Sequence, residues 1–377
     1  MLNGGIQLSL LIGPVVPVPA PQFVIDALTS VTVNVNDMGR SVFELQFMVS
    51  VQSPLHTLFL LSGGSSIPIL RCIIMVTLKG QSTVIMDGII DHHEVSPGGA
   101  SGLSTLSLKG NDLSAMMDKQ DFSGFPFPAM PAEGRVALLI AKYAVFGMIP
   151  KVIPSVLIDV PIPTNQIPSQ RGTDLRYINE LAERVGYVFY IEPGPVPGTN
   201  IAYWGPQIKV GLPQPALSLN MDAHTNVESL NFSFDNNKST IPTVFIYNEL
   251  TKAIIPIPIP PITPFSPPLG LVPPIPLNIK PPRYDLSKLP VPQAIMLGMA
   301  AAADLQEVVT GEGSLDVLRY GRILKARQLV GVRGVGHAFD GLHYVESVTH
   351  KIKRGEYKQD FTLSRNGLLS TIPVVPT

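Results

Sequence analysis

Apolar and polar residues alternate over much of the N-terminal third. Val31-Thr32-Val33-Asn34-Val35, Phe43-Glu44-Leu45-Gln46-Phe47 and Thr105-Leu106-Ser107-Leu108 each send every second side chain to one face. A period of two belongs to a strand with one buried face, so the pattern from Phe23 to about Leu108 predicts a run of strands. The breaks carry turn formers at Asp37-Met38-Gly39, Ser62-Gly63-Gly64-Ser65 and Ser96-Pro97-Gly98-Gly99. An antiparallel barrel or sandwich is expected.

Helical spacing begins after Pro131, where Val136, Leu139, Ile140 and Tyr143 share a face, with an expected stop near Gly147. A second helix is predicted from the N-cap Thr173, with Leu175, Ile178, Leu181, Ala182 and Val185 as its apolar stripe and Gly186 as its stop. Tyr187 to Ile191 reads as a buried strand, and Val227 to Tyr247 as a further β-rich stretch. The segment Ile254 to Pro292 is dense in proline and isoleucine, a composition that favours extended polyproline II. Its isoleucines need a partner surface, so an ordered arm laid on a neighbour is expected. Gln293 to Val309 reads as helical, and Leu329 to Arg365 returns to strands.

Composition narrows the function classes. Hydrophobic residues make up 45% of the 377 and charged residues 15%, well under the roughly 25% charged share of an average soluble domain. Much of the surface is therefore expected to meet other protein. Lys+Arg 27 against Asp+Glu 28 give a net charge of -1, no footprint for sequence-specific nucleic-acid binding. Cys72 lies in an apolar run and reads as a small core residue. The first 25 residues are uncharged but contain Pro14, Pro17, Pro19 and Pro21 and no basic leader, so no secretion signal is read. The uncharged run Ala253 to Ile279 is long enough to span a bilayer, yet its prolines forbid a spanning helix.

Candidate chemistry is sparse. In Asp91-His92-His93-Glu94, alternation splits the four ligand-type residues between two faces, so a solvated strand end is the better reading. His337, His343 and His350 have no HExxH, CxxC or GxSxG motif beside them. Gly331-Val332-Arg333-Gly334-Val335-Gly336 leads into a β-turn pattern and not into a phosphate-cradling helix. The basic groups Arg319, Arg322, Lys325 and Arg327, and later Lys351, Lys353, Arg354 and Lys358, read as a solvated face or a charged subunit contact. No catalytic, metal or cofactor residue is predicted.

The C-terminal run from Phe339 to Arg365 is the most informative stretch. Asp340-Gly341 opens a hairpin whose next strand carries Tyr344, Val345, Val348 and His350; Gly355 and Tyr357 follow, then Phe361 and Arg365. This pattern resembles the closing strands of the phage late control protein D family, which is similar to the hub half of VgrG spike proteins. Two other stretches resemble that family in the same order: Asp87-Gly88-Ile89-Ile90 through Leu113, and Arg171 to Tyr187 with its Gly186-Tyr187 step. The Pro-rich insertion is a departure from the family pattern, and the chain stops soon after Arg365 without the needle that VgrG proteins carry.

The resemblance implies a mainly β (α+β) fold with two tube-like antiparallel barrels and inserted helices. The expected division is a first barrel over 1–118, an inserted α/β region over 119–190 and returning strands over 191–252. An extended insertion over 253–292 and a second barrel over 293–377 complete it. It further implies a non-enzymatic baseplate hub of a contractile phage tail, tailocin or extracellular injection system, assembled in the bacterial cytoplasm. Three chains would form a pseudo-sixfold ring joining a sixfold tube to a threefold spike. The implied partners are further copies of the chain, tail tube or tube-initiator proteins, a separate spike and baseplate adaptor or wedge proteins, with no integral membrane segment. Ile255, Ile257, Ile259, Phe265, Leu271 and Ile275 are the expected subunit contacts of the arm. The alternatives are a tail-associated cell-wall hydrolase and a carbohydrate-binding tail-tip module.

Overall fold

The structure is a computed structural model that describes residues 5–50, 53–55, 59, 69–98, 103–155, 164, 167–238, 240–248, 253–258, 267–272, 278–280 and 307–372. Its N-terminal part contains β1 (Ile6–Gly13), β2 (Val18–Pro19), β3 (Leu28–Asn36), β4 (Val42–Ser50), β5 (Leu70–Leu78), β6 (Gln81–Ser96) and β7 (Leu103–Asp112). They lie side by side in the order β3-β4-β7-β6-β5-β1-β2, all antiparallel. The alternation read from the sequence sets which face is buried: Val31 and Val33, Phe43, Leu45 and Phe47, and Leu106 and Leu108 all point into one core. The strand run does not begin at Phe23, because Gln22–Ala27 is the short helix α1, opened by Pro21 and pinned by buried Val24.

An α/β unit follows. It comprises α2 (Ala132–Ala141), β8 (Met148–Val152), α3 (Asp174–Glu183), β9 (Val188–Pro193) and β10 (Asn200–Gly205), with sheet order β8-β10-β9. Helix α2 stops at Ala141, earlier than the sequence suggests, and a 3-10 turn over Ala144–Phe146 carries the chain to Gly147. A Cβ on Gly147 would lie 1.9 Å from the Gly198 carbonyl oxygen, so the close approach of these two loops requires glycine. The α3 prediction is met: the Thr173 hydroxyl accepts from the Arg176 amide, and Leu175, Ile178, Leu181 and Ala182 are buried.

The remaining strands are β11 (Gln214–Ser218), β12 (Ser229–Phe234), β13 (Thr240–Asn248), β14 (Ala253–Pro258), β15 (Gly270–Val272), β16 (Asn278–Lys280) and β17 (Val309–Asp316). After the one-turn helix α4 (Val317–Tyr320) come β18 (Leu329–Arg333), β19 (Gly341–Lys353), β20 (Glu356–Arg365) and β21 (Leu368–Ser370). Strand β19 pairs with β3, Val348 opposite Val35 and His350 opposite Val33, so strands from the two halves of the chain form one sheet, of 13 strands among the described residues.

Among the described residues this sheet closes no barrel; its path is open, ending at β12 and β2. One-sided burial satisfies the alternation of each strand equally well in an open sheet, and pairing across β3 and β19 merges what the resemblance divides in two. Polyproline II is not what the described pieces of the Pro/Ile segment form. β14 pairs with β13, β16 with β13 and β15 with β21, because neighbouring strands offer their backbone groups partners that isolated polyproline II lacks. Ile255 and Ile257 lie in β14 and Leu271 in β15. Ile259, Phe265 and Ile275 lie outside the described residues, as do the Ser62 to Ser65 turn and most of the helix expected over 293–309, whose last residue instead opens β17.

Candidate functional site

The hairpin motif residues are internal. Arg354-Gly355 turn β19 into β20 with Lys353 opposite Glu356, and Gly355 takes a φ of 80°. A bulge between Val345 and Ser347 breaks the alternation, so Tyr344, Val345 and Val348 are all buried. The His350 Nδ1 lies 2.7 Å from the Tyr357 hydroxyl and 3.3 Å from Gln359 Nε2, whose amide also bonds the Leu324 backbone on both sides. Burial pushes the His350 pKa down to about 4, so the ring is a neutral acceptor at pH 7. Phe361 covers Gly313, where a Cβ would meet its ring at 2.6 Å.

Buried Arg365 donates to the carbonyls of Gly367 (2.7 Å), Asp340 (3.0 Å) and Ala338. Gly341, at φ 127°, passes against it, and the Asp340 carboxylate accepts from the Val335 amide at 2.9 Å. Gly186, at φ 67°, ends α3, and the Tyr187 ring sets its edge on Trp204 with centroids 4.9 Å apart. The residues that carry the sequence resemblance thus hold the scaffold, and most of their side chains do not reach solvent.

Two charged clusters, neither marked by a sequence motif, organise the α/β unit: one joins it to the sheet and the other ties the end of α2 to the start of α3 within it. Arg71 on β5 grips Asp87 on β6 through two bonds of 2.8 and 2.7 Å. It also donates to the carbonyls of Val15, Phe146 and Gly198, while Asn200 on β10 donates to the same carboxylate. Asp174, fully buried at the start of α3, receives Lys142, the Tyr143 hydroxyl (2.9 Å) and the Gln170 amide (2.6 Å). The available signal was charge at core positions: an arginine inside Ile69 to Ile74, and an aspartate between Met86 and Gly88.

A third cluster lies where the chain leaves β10. Gln207 and Lys209 turn inward, toward Asp37 at the end of β3, Glu307 ahead of β17 and Glu346 on β19. Arg327 lies 4.0 Å over the Tyr190 ring, which stacks on Tyr203, and pairs with Glu192 at 3.9 Å. Lys209 also sits 5.1 Å from the Tyr344 ring centre.

The remaining candidates do not converge. His92 and Glu94 are exposed, and a bulge between Ile90 and His92 shifts the register that alternation assumed. His343 and His350 are buried apart from exposed His337, and burial beside Arg365 lowers the His343 pKa to about 3. Among the described residues no group of three His, Cys, Asp or Glu is placed to hold a metal ion, and no helix is long and apolar enough to cross a membrane.

No family model and no curated protein matches the sequence. Solved structures match its fold. A tail protein from Neisseria meningitidis aligns at TM-score 0.63 with 16% identity, covering 97% of this chain and 98% of its own. The 43 kDa tail protein of prophage MuSo2 from Shewanella oneidensis aligns at TM-score 0.61 with 13% identity, covering 96% and 98%. An E. coli protein described as a component of the type VI secretion system aligns at TM-score 0.52 with 10% identity, covering 93% and 76%. The chain therefore has the fold of phage tail proteins and of a type VI secretion component.

Proposed function

We propose that this chain is a structural, non-enzymatic baseplate hub of a contractile tail or injection system, a homotrimer adapting the sixfold tail tube to the threefold spike. The observation that carries this reading is the fold shared over 97% of the chain with a tail protein that is itself covered to 98%. Two features of the molecule support it. The polar clusters among the described residues tie one part of the scaffold to another. Among the described residues the large sheet also ends in open edges: β12 pairs only with β17, and the outer side of β1 carries no strand from Ile6 to Ser9. Open edges suit head-to-tail pairing that closes a ring.

On this reading the regions 1–118 and 293–377 act as the two tube-like halves of each protomer, and three chains present six. The Pro/Ile arm over 253–292 braces an adjacent subunit or a baseplate protein. The partners are tail tube or tube-initiator proteins, a separate spike and baseplate adaptors, within a particle assembled in the bacterial cytoplasm. Native mass spectrometry of the purified chain, alone and with its candidate spike, is expected to give three chain masses and a trimer bound to spike. A monomer that clears a cell-wall zymogram, or binds a glycan array, would reject the hub.

A further inference from the structure

Of the basic residues that the sequence groups between Arg319 and Arg327, the fold turns one inward and leaves three outside. Arg327 lies over the Tyr190 ring, whereas Arg319, Arg322 and Lys325 are exposed. A fourth cation joins them from a distant strand pair. Lys79 and Gly80 form the two-residue turn between β5 and β6, and the exposed Lys79 reaches Gly321, where a Cβ would lie 3.1 Å from its Nζ. Both turn residues have positive φ, 50° and 82°. Asn-Gly suits such a turn, and a lysine in it is strained. Folding thus gathers four like charges on one exposed face, against both backbone strain and mutual repulsion.

Side chains from neighbouring strands fix the backbone of this face. Gln359 bonds the Leu324 amide and carbonyl, and Gln214 bonds those of Lys325 in the same way. Buried Tyr320 donates to the Pro215 carbonyl at 2.6 Å. Carboxylates on the adjoining strands are already engaged. Asp316 caps α4 by accepting from the Leu318 and Arg319 amides, while Glu228 and Glu356 both hold Lys358. Among the described residues no carboxylate pairs with Lys79, Arg319, Arg322 or Lys325.

We propose that the face formed by Lys79, Arg319, Arg322 and Lys325 is a docking site for an acidic segment of a partner protein. Charge complementarity sets the sign of that partner, and the fixed backbone presents the cations without further ordering cost. Two features favour a peptide over nucleic acid. Leu318, 37% exposed beside Arg319, offers carbon to an apolar residue set among the acids, a contact for which a phosphate backbone has no use. Tyr320, the aromatic residue of α4, is buried with its hydroxyl engaged, so its ring is closed to base stacking. The site stands beside the hub reading and does not require three chains to associate.

Fluorescence anisotropy with a labelled glutamate-rich peptide of about ten residues, carrying leucine at its centre, measures this docking on the full chain. Wild-type protein is expected to bind the peptide, and more weakly as salt is raised. Arg319→Glu/Arg322→Glu should lower the affinity about tenfold or more, since attraction at two exposed positions becomes repulsion. Lys79→Asn should weaken binding while raising the thermal midpoint, because asparagine suits the turn and a repelling charge is gone. A lysine with only a structural role would not move those two readouts in opposite directions. In native mass spectrometry the charge-reversed variant should keep the assembly mass of wild type. The proposal is overturned if wild type does not bind the peptide, if the reversed variant binds it equally, or if single-stranded DNA of matched charge binds at least as tightly. A changed assembly mass would also overturn it, by making a second copy of this chain the occupant.

Discussion

Arg71 is 3% exposed and its partner Asp87 is 0% exposed in the side chain, so neither charge can be left alone at low cost. The pair is satisfied by three backbone carbonyls and Asn200 as well as by its own two bonds. Removing one partner strands the other, which costs about 3–5 kcal/mol, whereas replacing a buried pair together with apolar residues is often neutral. Arg71→Met is therefore expected to lose about 3–5 kcal/mol in urea unfolding, with Arg71→Met/Asp87→Leu recovering part of it. A single substitution that left the midpoint unchanged would show that the pair is not what docks the α/β unit. Arg71 and Asp87 are 16 positions apart in the sequence, and the pairing of β5 with β6 brings them together.

At the scale of elements, the meeting of β4, β6 and β7 depends on two glycines. Gly110 sits opposite Phe43 and opposite Ile90, and a Cβ there would lie 2.2 Å from the Ile89 carbonyl oxygen and 2.5 Å from the Phe43 ring. Gly88, one register step away on β6, has the same conflict with the Asn111 carbonyl oxygen at 2.2 Å. The Phe43 ring fills the space above both, the arrangement in which an aromatic side chain compensates for glycine in a strand. Gly110→Ala is expected to cost about 1–3 kcal/mol by forcing backbone apart, read as a lower urea midpoint; an unchanged midpoint would mean the sheet absorbs the methyl group. Strand existence was legible here from alternation. The bulges at Ile90 to His92 and Val345 to Ser347 were not, since each is an extra residue in one strand that only its pairing with the neighbouring strand reveals.

At the scale of the whole molecule, the pairing of β3 with β19 joins residues more than 300 positions apart; Asn34 on β3 even donates to Thr349 on β19 at 2.9 Å. The arm is the other question at this scale. Leu271 is 63% exposed in the single chain, on a two-stranded sheet with Leu369 at 40%. A charge at an exposed site changes chain stability by about 0.5 kcal/mol or less, but burying it unpaired against a neighbour costs roughly 2 kcal/mol or more. On the proposed hub reading, Leu271→Asp should leave thermal unfolding of the monomer unchanged and weaken the proposed self-association about thirtyfold or more in sedimentation equilibrium. Equal association of variant and wild type would remove Leu271 from the proposed subunit contact.

Local patterning determined the strands, the α3 helix with its Thr173 cap, and the buried faces of β3, β4 and β7, because each depends on residues within a few positions of one another. The absence of nucleotide and metal motifs was likewise plain from the chain alone. Tertiary structure decided that strands from both parts of the chain share one open sheet, that Arg71 and Asp87 tie the α/β unit to it, that Asp174 holds α2 to α3, and that Lys209 meets Glu307. Those contacts are set by burial and charge pairing between distant segments, and no period or spacing in a sequence records which distant charge will be brought within 3 Å of another.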